Sequence, residues 1–479
     1  MSYLSPFFVV FLIAVLMVYY FIPVHARYIW LLAVSICFYY CLNKEAIAYM
    51  IGFIIYTFAV ATILGRTKNA VFKKFIFVSS VISIVVYLVI TKYCLFLIEN
   101  INRIISAIGS GNTLSPIDIL VPIGISYFTL SSIGYLVDVY FRKSNAEKNI
   151  LKYALFLMFF PIVTAGPIER SNTFLKQINN PKEYNYNSVK NGLILVVWGF
   201  YKKVVIADTI SKYVNDMFFN YNKYGSFSLV LGTFLFSIML YADFSGYSDI
   251  AVGIGETFGF ELTRNFYQPY FAQGISDFWK RWHISLSSWL RDYIYIPLGG
   301  NRKGTVRKQI NIFVVFLISG IWHGSGWTFI LWGGLHGLFH IGEEISNRIR
   351  IARKIQNQEL FGVRFMKALK TFFIVSIAWF FFKIDSTTVM IDTIKHMRSN
   401  WTNLECGITL TQFKVWCLSL APLLAVDFAH ERKIEIRALI ERQPWYFRWM
   451  AYLATSLVIV IAYLRNYGQG ASAFLYTQF

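Results

Sequence analysis

Charged residues are scarce in this sequence. Only 15% of its 479 residues are Asp, Glu, Lys or Arg, whereas a soluble globular domain usually carries about 25%. With 56% hydrophobic residues and a mean hydropathy of +0.51, the chain cannot cover a soluble surface with polar side chains. The composition excludes a soluble enzyme, a disordered chain and a disulfide scaffold, and it indicates a polytopic membrane protein.

Among the charged residues, acidic ones are scarcer than basic ones. The chain has 25 Asp and Glu against 45 Lys and Arg, a net charge of +20. In a soluble protein this excess would suggest a nucleic-acid partner. Here the basic residues lie in short segments between apolar runs, which is typical of cytoplasmic loops in membrane proteins. We therefore expect no nucleic-acid partner.

Cysteine is also rare, and no pair has CxxC spacing. The five residues are Cys37, Cys41, Cys94, Cys406 and Cys417. Most lie in or beside apolar runs and are expected to be small core residues, with no disulfide framework and no metal site. The sequence has no GxGxxG, Walker A or GxSxG motif, so we expect no bound nucleotide cofactor and no serine-hydrolase site.

Long apolar runs dominate what is present. They cover residues 4–22, 28–42, 46–64, 75–98, 119–140, 150–168, 192–206, 227–253, 310–341, 371–384, 412–429 and 449–464. The first run lacks the basic start and the A-x-A cleavage site of a signal peptide, so it is expected to be a spanning helix. No internal repeat or low-complexity stretch separates the runs, which predicts one membrane domain.

Basic segments between the runs set the expected orientation. Lys and Arg cluster at 66–74, 142–148, 264–308, 348–370 and 432–442. Placing these segments in the cytoplasm makes the N-terminus extracytoplasmic. The same arrangement puts residues 99–116 and 385–409, which are poor in Lys and Arg, outside the cell.

Two apolar runs have basic segments on both sides, so each must return to the side it entered from. Run 150–168 contains Pro161, Gly166 and Pro167, which break helices and predict a re-entrant hairpin. Run 310–341 has about 32 residues, short of the roughly 40 that two full spans need. It predicts a shallow or partly re-entrant helical hairpin with its bend near 320–327.

His323 is the foremost chemical candidate, because it falls inside that hairpin. It lies 13 residues past Ile310, which is about 20 Å of helix. A neutral imidazole at that depth can take the proton of a hydroxyl as the hydroxyl attacks an acyl carbon. The alternative is a structural histidine bonded to a neighbouring helix carbonyl, and the pattern leaves both interpretations open.

An aromatic and basic segment, 278–293, is too charged to span the membrane and is expected at the cytoplasmic interface. Its Lys280, Arg281 and Arg291 have two possible partners: lipid phosphates, or the phosphates of a coenzyme A or carrier-protein arm. His283 in the same segment is expected to line the cavity of His323.

Two further groups carry weaker signals. Asp243 and Asp249 lie in a long apolar run and need partners, either as polar contacts between helices or as part of the chemistry. His336 and His340 are one helical turn apart, but this spacing without the zincin glutamate is a weak metal signal. We expect no metal site.

The order of several motifs resembles the membrane-bound O-acyltransferase family. The closest branch is the bacterial membrane subunit that works in O-acetylation of alginate and related polysaccharides. The motifs occupy residues 122–129, 165–170, 243–249, 265–266, 278–287, 291–302 and 322–324. The similarity is dense from about residue 120 to 337 and returns at 474–479, where Leu475 and Thr477 depart from the branch's pattern. The first hundred residues match only as apolar helices.

This resemblance implies an all-α polytopic membrane protein. The expected fold is a ring of about 11 transmembrane helices with re-entrant segments around a central channel. Within a single domain, 1–479, we expect peripheral helices at 1–118, a catalytic core at 119–341 and C-terminal helices at 342–479. The catalytic histidine is expected at the constriction of the channel.

The resemblance also implies roles for particular residues. The family's catalytic histidine falls on His323 and its second characteristic histidine on His283. The donor-binding or supporting residues are expected to be Trp322, Asn265, Lys280, Arg281, Arg291 and Asp243.

The implied activity is acetyl transfer from acetyl-CoA, a cytoplasmic donor substrate, to an extracytoplasmic acceptor. The expected location is the bacterial cytoplasmic membrane. The implied partners are membrane lipid, an SGNH-type extracytoplasmic acyltransferase and a polysaccharide synthase complex. The sequence leaves open whether an acyl-enzyme forms or transfer is direct.

Two alternatives remain at this point. One is D-alanyl transfer toward teichoic acid from a carrier-protein thioester, as in a sister branch. The other is a transporter or flippase without chemistry, in which the buried Asp and His residues would relay protons. A transporter predicts inverted repeats, which the sequence does not show.

Overall fold

The computed structural model describes residues 3–109, 113–353, 360–403, 407–466 and 474–475. Every regular element in these residues is helical, which confirms the all-α prediction. Cys406 and residues 476–479 of the aromatic C-terminal segment lie outside the described residues.

The described chain forms α-helices joined by short loops. They are α1 Pro6–Phe21, α2 Arg27–Leu42, α3 Ile47–Arg66, α4 Ala70–Leu88, α5 Cys94–Ala107, α6 Ile125–Tyr140, α7 Ile150–Met158, α8 Ser171–Asn179, α9 Tyr186–Phe200, α10 Asp208–Phe219, α11 Ser226–Thr257, α12 Ile275–Arg281, α13 Ile284–Leu290, α14 Gly304–His323, α15 Trp327–Ala352, α16 Phe361–Lys383, α17 Thr387–Ser399, α18 Leu410–Glu431, α19 Ile436–Glu441 and α20 Trp445–Asn466. Three π-helical segments, Val89–Tyr93, Tyr201–Ala207 and Arg291–Tyr295, continue α4, α9 and α13.

Eight helical stretches among the described residues are long and apolar enough to cross a membrane. They are Val24–Leu42, Ile47–Arg66, Ala70–Ala107, Ser226–Thr257, Gly304–His323, Phe361–Lys383, Leu410–Glu431 and Trp445–Asn466. Large apolar side chains on these helices are exposed, for example Leu418 at 74% and Leu464 at 65%, as expected of surfaces that face lipid. The protein is therefore a multi-pass membrane protein, while the ring of about 11 helices stays a prediction.

The described residues group into two units. One comprises residues 3–194 without the gap at 110–112, together with Ala251–Thr263, and the other comprises Leu195–Ile250 and the described part of Arg264–Leu475. The single domain with its three-part division stays a prediction. The second unit contains the histidines discussed in the sequence analysis, His283, His323, His336 and His340.

In the first unit, the segment after α7 is irregular, as its helix-breaking residues predict, while the re-entrant hairpin stays a prediction. Helix α7 ends at Met158, and residues 160–165 form turns that continue into irregular backbone. Residues 155–169 are all buried. Irregular backbone in a membrane protein survives where protein surrounds it, and this segment meets that condition.

In the second unit, α14 and α15 form the predicted helical hairpin, with its turn at Gly324–Gly326. The hairpin is longer than predicted: its helices have 20 and 26 residues, or about 30 and 39 Å. The prediction counted only the apolar run, whereas both helices continue through polar flanks. His323 is the last residue of α14 and therefore lies at the tip of the hairpin.

Small residues bring the two hairpin helices into backbone contact. A Cβ atom added at Gly333 would lie 2.3 Å from the carbonyl oxygen of Phe316, and one at Gly320 would lie 2.3 Å from that of Phe329. Such close approach is typical of packing between membrane helices, where small residues let the backbones come together and van der Waals contacts drive association in place of the hydrophobic effect.

Candidate active site

His323 is buried at the hairpin tip, with 2% of its surface exposed. Gly324 follows it, and a Cβ atom there would lie 2.2 Å from the Phe329 ring, so only glycine fits this turn. Aromatic side chains surround the imidazole. The distances from its ring centroid are 4.9 Å to Trp322, 5.0 Å to Trp332 and 5.4 Å to Phe382.

His283 is the second buried imidazole of the site. It is fully buried, and its ring centroid lies 6.2 Å from that of His323. Trp322 contacts both rings, at 6.0 Å from His283 and 4.9 Å from His323. The structure thus brings His323, His283 and Trp322 together, although 40 residues separate the two histidines in the sequence.

The backbone at His283 is strained, and Asn265 holds it. His283 joins α12 to α13 with a left-handed φ of 44°, which is uncommon for a residue other than glycine. Asn265 accepts two hydrogen bonds at this junction, from the Ile284 N–H to its carbonyl oxygen and from the Ser285 N–H to its Oδ1, both at 3.1 Å. The structure places Asn265 as a support of the His283 backbone.

Burial determines the charge of His283, which lies outside the candidate spans. Desolvation lowers its pKa to about 3, because the imidazolium would lose its hydration on burial. The ring is therefore neutral near pH 7. A neutral imidazole donates a hydrogen bond from one nitrogen and accepts one at the other, which suits positioning of a neutral substrate group.

The three basic candidates differ in what they contact. Arg281 bonds to the carboxylates of Asp277 and Glu431, through Nε at 2.9 Å and Nη1 at 2.6 Å. These carboxylates raise its pKa against the effect of partial burial. Lys280 is exposed, and Arg291 is 62% exposed beside Asp292. The surface therefore offers Lys280 and Arg291 for contact with phosphate, whereas Arg281 anchors α12 to the end of α18.

Asp243 lies in a buried ion cluster and not against the imidazoles. Its Oδ1 is 2.7 Å from Nζ of Lys203, which also lies 2.8 Å from Asp208. Its Oδ2 accepts the backbone N–H of Leu475 at 2.8 Å. Its chain neighbour Phe244 contacts the His283 ring at 4.7 Å, so Asp243 borders the site through one intervening side chain.

The lysines of this cluster were not among the sequence candidates. Lys202 and Lys203 lie in the π-helical segment Tyr201–Ala207, and both are buried. Lys202 bonds to Asp249 at 2.6 Å. Two adjacent lysines within the apolar run 192–206 were the available signal, since buried lysines need acidic partners.

His336 and His340 are engaged by α12. Nδ1 of His336 accepts the indole N–H of Trp279 at 3.3 Å, and Nε2 of His340 lies 3.2 Å from the hydroxyl of Ser276. Among the described residues, no group of three His, Cys, Asp or Glu side chains is placed to hold a metal ion. The two histidines tie α15 to the helix that precedes His283.

The model of the membrane-bound O-acyltransferase family matches residues 143–390, a range that includes both His283 and His323. A probable alginate O-acetylase of Pseudomonas aeruginosa is 37% identical over 340 residues, which is 70% of this chain and 63% of that protein.

Two other relatives carry different names. A peptidoglycan O-acetyltransferase of Helicobacter pylori is 33% identical over 398 residues, 77% of this chain and 73% of that protein. A teichoic acid D-alanyltransferase of Bacillus subtilis is 29% identical over 231 residues, 45% of this chain and 57% of that protein. The two proteins named for O-acetylation match a larger part of this chain than the one named for alanylation.

Proposed function

This chain belongs to the membrane-bound O-acyltransferase family, and from that premise we propose that it transfers an acetyl group from acetyl-CoA to an extracytoplasmic acceptor for polysaccharide O-acetylation. The observation that carries this proposal is the pair of buried imidazoles, His323 and His283, 6.2 Å apart at a hairpin tip. The names of the O-acetylating relatives support the choice of acetyl as the transferred group.

The proposed reaction uses His323 as general base and acid. Its imidazole takes the proton of the acceptor hydroxyl as the hydroxyl oxygen bonds to the thioester carbon. The carbonyl electrons move onto oxygen, and when the C=O bond re-forms the C–S bond breaks. His323 then returns the proton to the thiolate, so coenzyme A leaves as a thiol and the acceptor leaves as an acetyl ester.

The other site residues act around this step. Trp322 packs on both imidazoles, and we assign it the role of excluding water from the thioester. His283, neutral and held by Asn265, positions the donor. Lys280 and Arg291 are the proposed contacts of the donor phosphates on the cytoplasmic side, with Arg281 and Asp243 as supports of the helices behind the site.

We propose further that the protein lies in the bacterial cytoplasmic membrane with its N-terminus outside. In this orientation the basic segment 302–308, which includes the start of α14, faces the cytoplasm, and the acceptor approaches from the other side. The proposed partner is an SGNH-type extracytoplasmic acyltransferase that carries the specificity for the glycan. A polysaccharide synthase complex and the surrounding lipid are the other proposed partners.

The test is acetyl transfer in proteoliposomes with radiolabelled acetyl-CoA, an SGNH-type partner and an acceptor glycan. His323→Ala should lose at least about 100-fold in activity, since general acid–base groups contribute 10²–10⁴-fold. His25→Ala, which removes an exposed imidazole, is the matched control and should retain wild-type activity. Equal activity of wild type and His323→Ala would contradict the proposed role.

The same assay shows which thioester is the acyl donor, acetyl-CoA or a D-alanyl carrier protein. If wild type consumes no acetyl-CoA but transfers an acyl group from a D-alanyl carrier-protein thioester, the alanyl-transfer alternative replaces the proposed one. If neither thioester is consumed with the partner present, the acyl-transfer mechanism at His323 is wrong.

A further inference from the structure

Trp332 carries a buried polar group that the protein itself does not satisfy. Its side chain is fully buried, and its indole Nε1 has no hydrogen-bond partner among the described residues. A buried donor without an acceptor costs free energy, and native proteins rarely retain one without a reason such as a bound ligand or water. The position of this N–H is therefore informative.

The indole lies against the proposed catalytic base. Its ring centroid is 5.0 Å from that of His323, with the two planes at 89°. Trp332 is on α15 and His323 ends α14, so the close packing of the hairpin fixes their relative position. A carbonyl group bound beside the imidazole of His323 would therefore lie next to this indole ring.

The surroundings hold Trp332 in place. It stacks on Trp379 at 5.5 Å and 23°, and it makes edge contacts with His336 at 5.0 Å and Phe382 at 5.3 Å. Because the ring is packed on several sides, it cannot rotate freely to find an acceptor elsewhere. Rigid placement of a donor before the reaction is what makes such a donor effective in catalysis.

In the described part of the chain, no neighbouring side chain accepts the N–H of Trp332. Nε1 of Trp379 is itself a buried donor without a partner among the described residues. Nδ1 of His336 already accepts the indole N–H of Trp279, so the neutral imidazole carries its hydrogen on Nε2 and is a donor there too. A ligand that satisfies Trp332 must therefore bring its own acceptor oxygen.

We propose that the indole N–H of Trp332 donates a hydrogen bond to the carbonyl oxygen of the acyl thioester. This inference rests on the proposed function. As the acceptor oxygen bonds to the carbonyl carbon, the π electrons move onto the carbonyl oxygen, and the N–H of Trp332 stabilises the resulting negative charge. When the C–S bond breaks, the charge leaves this oxygen and His323 protonates the thiolate. Trp332 is in this account a catalytic residue.

The test removes only the N–H. Incorporation of 3-benzothienylalanine at position 332 replaces the nitrogen with sulfur and keeps the shape of the indole, so folding should be retained where Trp332→Phe would leave a cavity. The same replacement at 379 is the matched control, because that ring is equally buried and stacks on Trp332 but has no ring contact with His323 among the described residues. Release of the thiol from the acetyl donor gives kcat and KM separately.

We expect kcat to fall about 10²- to 10³-fold at position 332, as on loss of one oxyanion donor, with KM within a factor of about two. The replacement at 379 should leave kcat near the wild-type value. An equal effect at both positions, an unchanged kcat at 332, or a change in KM alone would overturn the inference while leaving the proposed function intact. If wild type consumes neither the acetyl nor the carrier-protein thioester, the proposed function is wrong and this inference falls with it.

Discussion

His283 illustrates how much of the site depends on a single backbone position. Its left-handed conformation turns the chain between two short helices, and the two hydrogen bonds to Asn265 hold that turn. Strained backbone of this kind persists only where its surroundings over-determine it, and it is often found at functional sites. The residue type was evident in the sequence, but the strain and its support were not.

Glu169 is a second residue whose environment has a measurable consequence. It lies in the first unit, 4% exposed, and its carboxyl accepts the N–H of Thr263 at 2.6 Å and the hydroxyl of Thr263 at 3.2 Å. Burial raises its pKa to about 7, more than these hydrogen bonds lower it. The folded protein thus favours the protonated carboxyl.

This pKa shift predicts how stability depends on pH. Below about pH 4.5 the carboxyl is protonated in both states. Between about 4.5 and 7 only the unfolded state ionises, so the free energy of unfolding falls as pH rises, and above 7 the loss is complete. Glu169→Gln, which stays neutral, should lack this dependence.

Thermal unfolding in detergent from pH 4.5 to 8 measures the effect. As pH rises, the free energy of unfolding of the variant should increase relative to that of wild type, by up to about 3 kcal/mol for a pKa raised from 4.5 to about 7. The difference should become constant above pH 7. Glu261→Gln is the control, because that carboxyl is exposed. Parallel curves for wild type and Glu169→Gln would contradict the raised pKa.

At the scale of elements, the α14–α15 hairpin decides the geometry of the site. It carries His323 at its tip and Trp332 one and a half turns into the returning helix. Its glycines allow the two backbones to touch. Any change that separates the helices should therefore move the imidazole relative to the indole.

Two adjacent glycines on α15 test this. Gly333→Ala would place a Cβ atom 2.3 Å from the Phe316 carbonyl oxygen, whereas Gly334→Ala would meet only Leu317 at an ordinary 3.7 Å. We expect the first variant to lose about 1–3 kcal/mol of stability, as overpacked sites do, and to lose acyl transfer with it. The second should be neutral or slightly stabilised, because alanine favours helix.

Melting temperature in detergent and acyl transfer, measured on both purified variants, give the comparison. Equal melting temperatures for the two variants would show that the hairpin helices tolerate separation at this point. The proposed coupling of hairpin packing to the site would then be wrong.

For the whole molecule, orientation in the membrane determines which side each substrate must use. Lys303, just before α14, and Ser386, just after α16, are both exposed. The hairpin tip lies near the C-terminal end of α16. There Phe382 contacts His323, and the Asp385 carbonyl oxygen lies 3.6 Å from a Cβ position at Gly326. The positive-inside distribution predicts that Ser386 is outside and Lys303 inside.

Cysteine labelling in intact cells tests this orientation. In a background with the five native cysteines replaced, Ser386→Cys should react with a membrane-impermeant maleimide, and Lys303→Cys should react only after the cells are permeabilised. The reverse pattern would invert the topology and would place His323 nearer the cytoplasm. Labelling of both sites in intact cells would show that α14, α15 and α16 do not each cross the membrane.

The sequence by itself determined the class of this protein and the family to which it belongs, while the catalytic role of His323 stays a prediction. Apolar runs, basic loops and the helix-breaking residues at 161–167 are local features, and each constrains its own segment whatever the rest of the chain does. They were enough for an all-α multi-pass protein, for a helix break around Pro161 and for a hairpin bend near His323. The motif order was enough for the acyltransferase family.

Only the tertiary structure decided what each polar side chain contacts. Arg281 finds Glu431 across 150 residues and Lys203 finds Asp243 across 40, and no local pattern specifies such partners. The hairpin length was likewise misjudged from composition, because both helices continue beyond the apolar run into polar residues. A buried charge or N–H must be satisfied by whatever the fold brings beside it, so the roles of Arg281, Asp243 and Trp332 depend on the assembled helices.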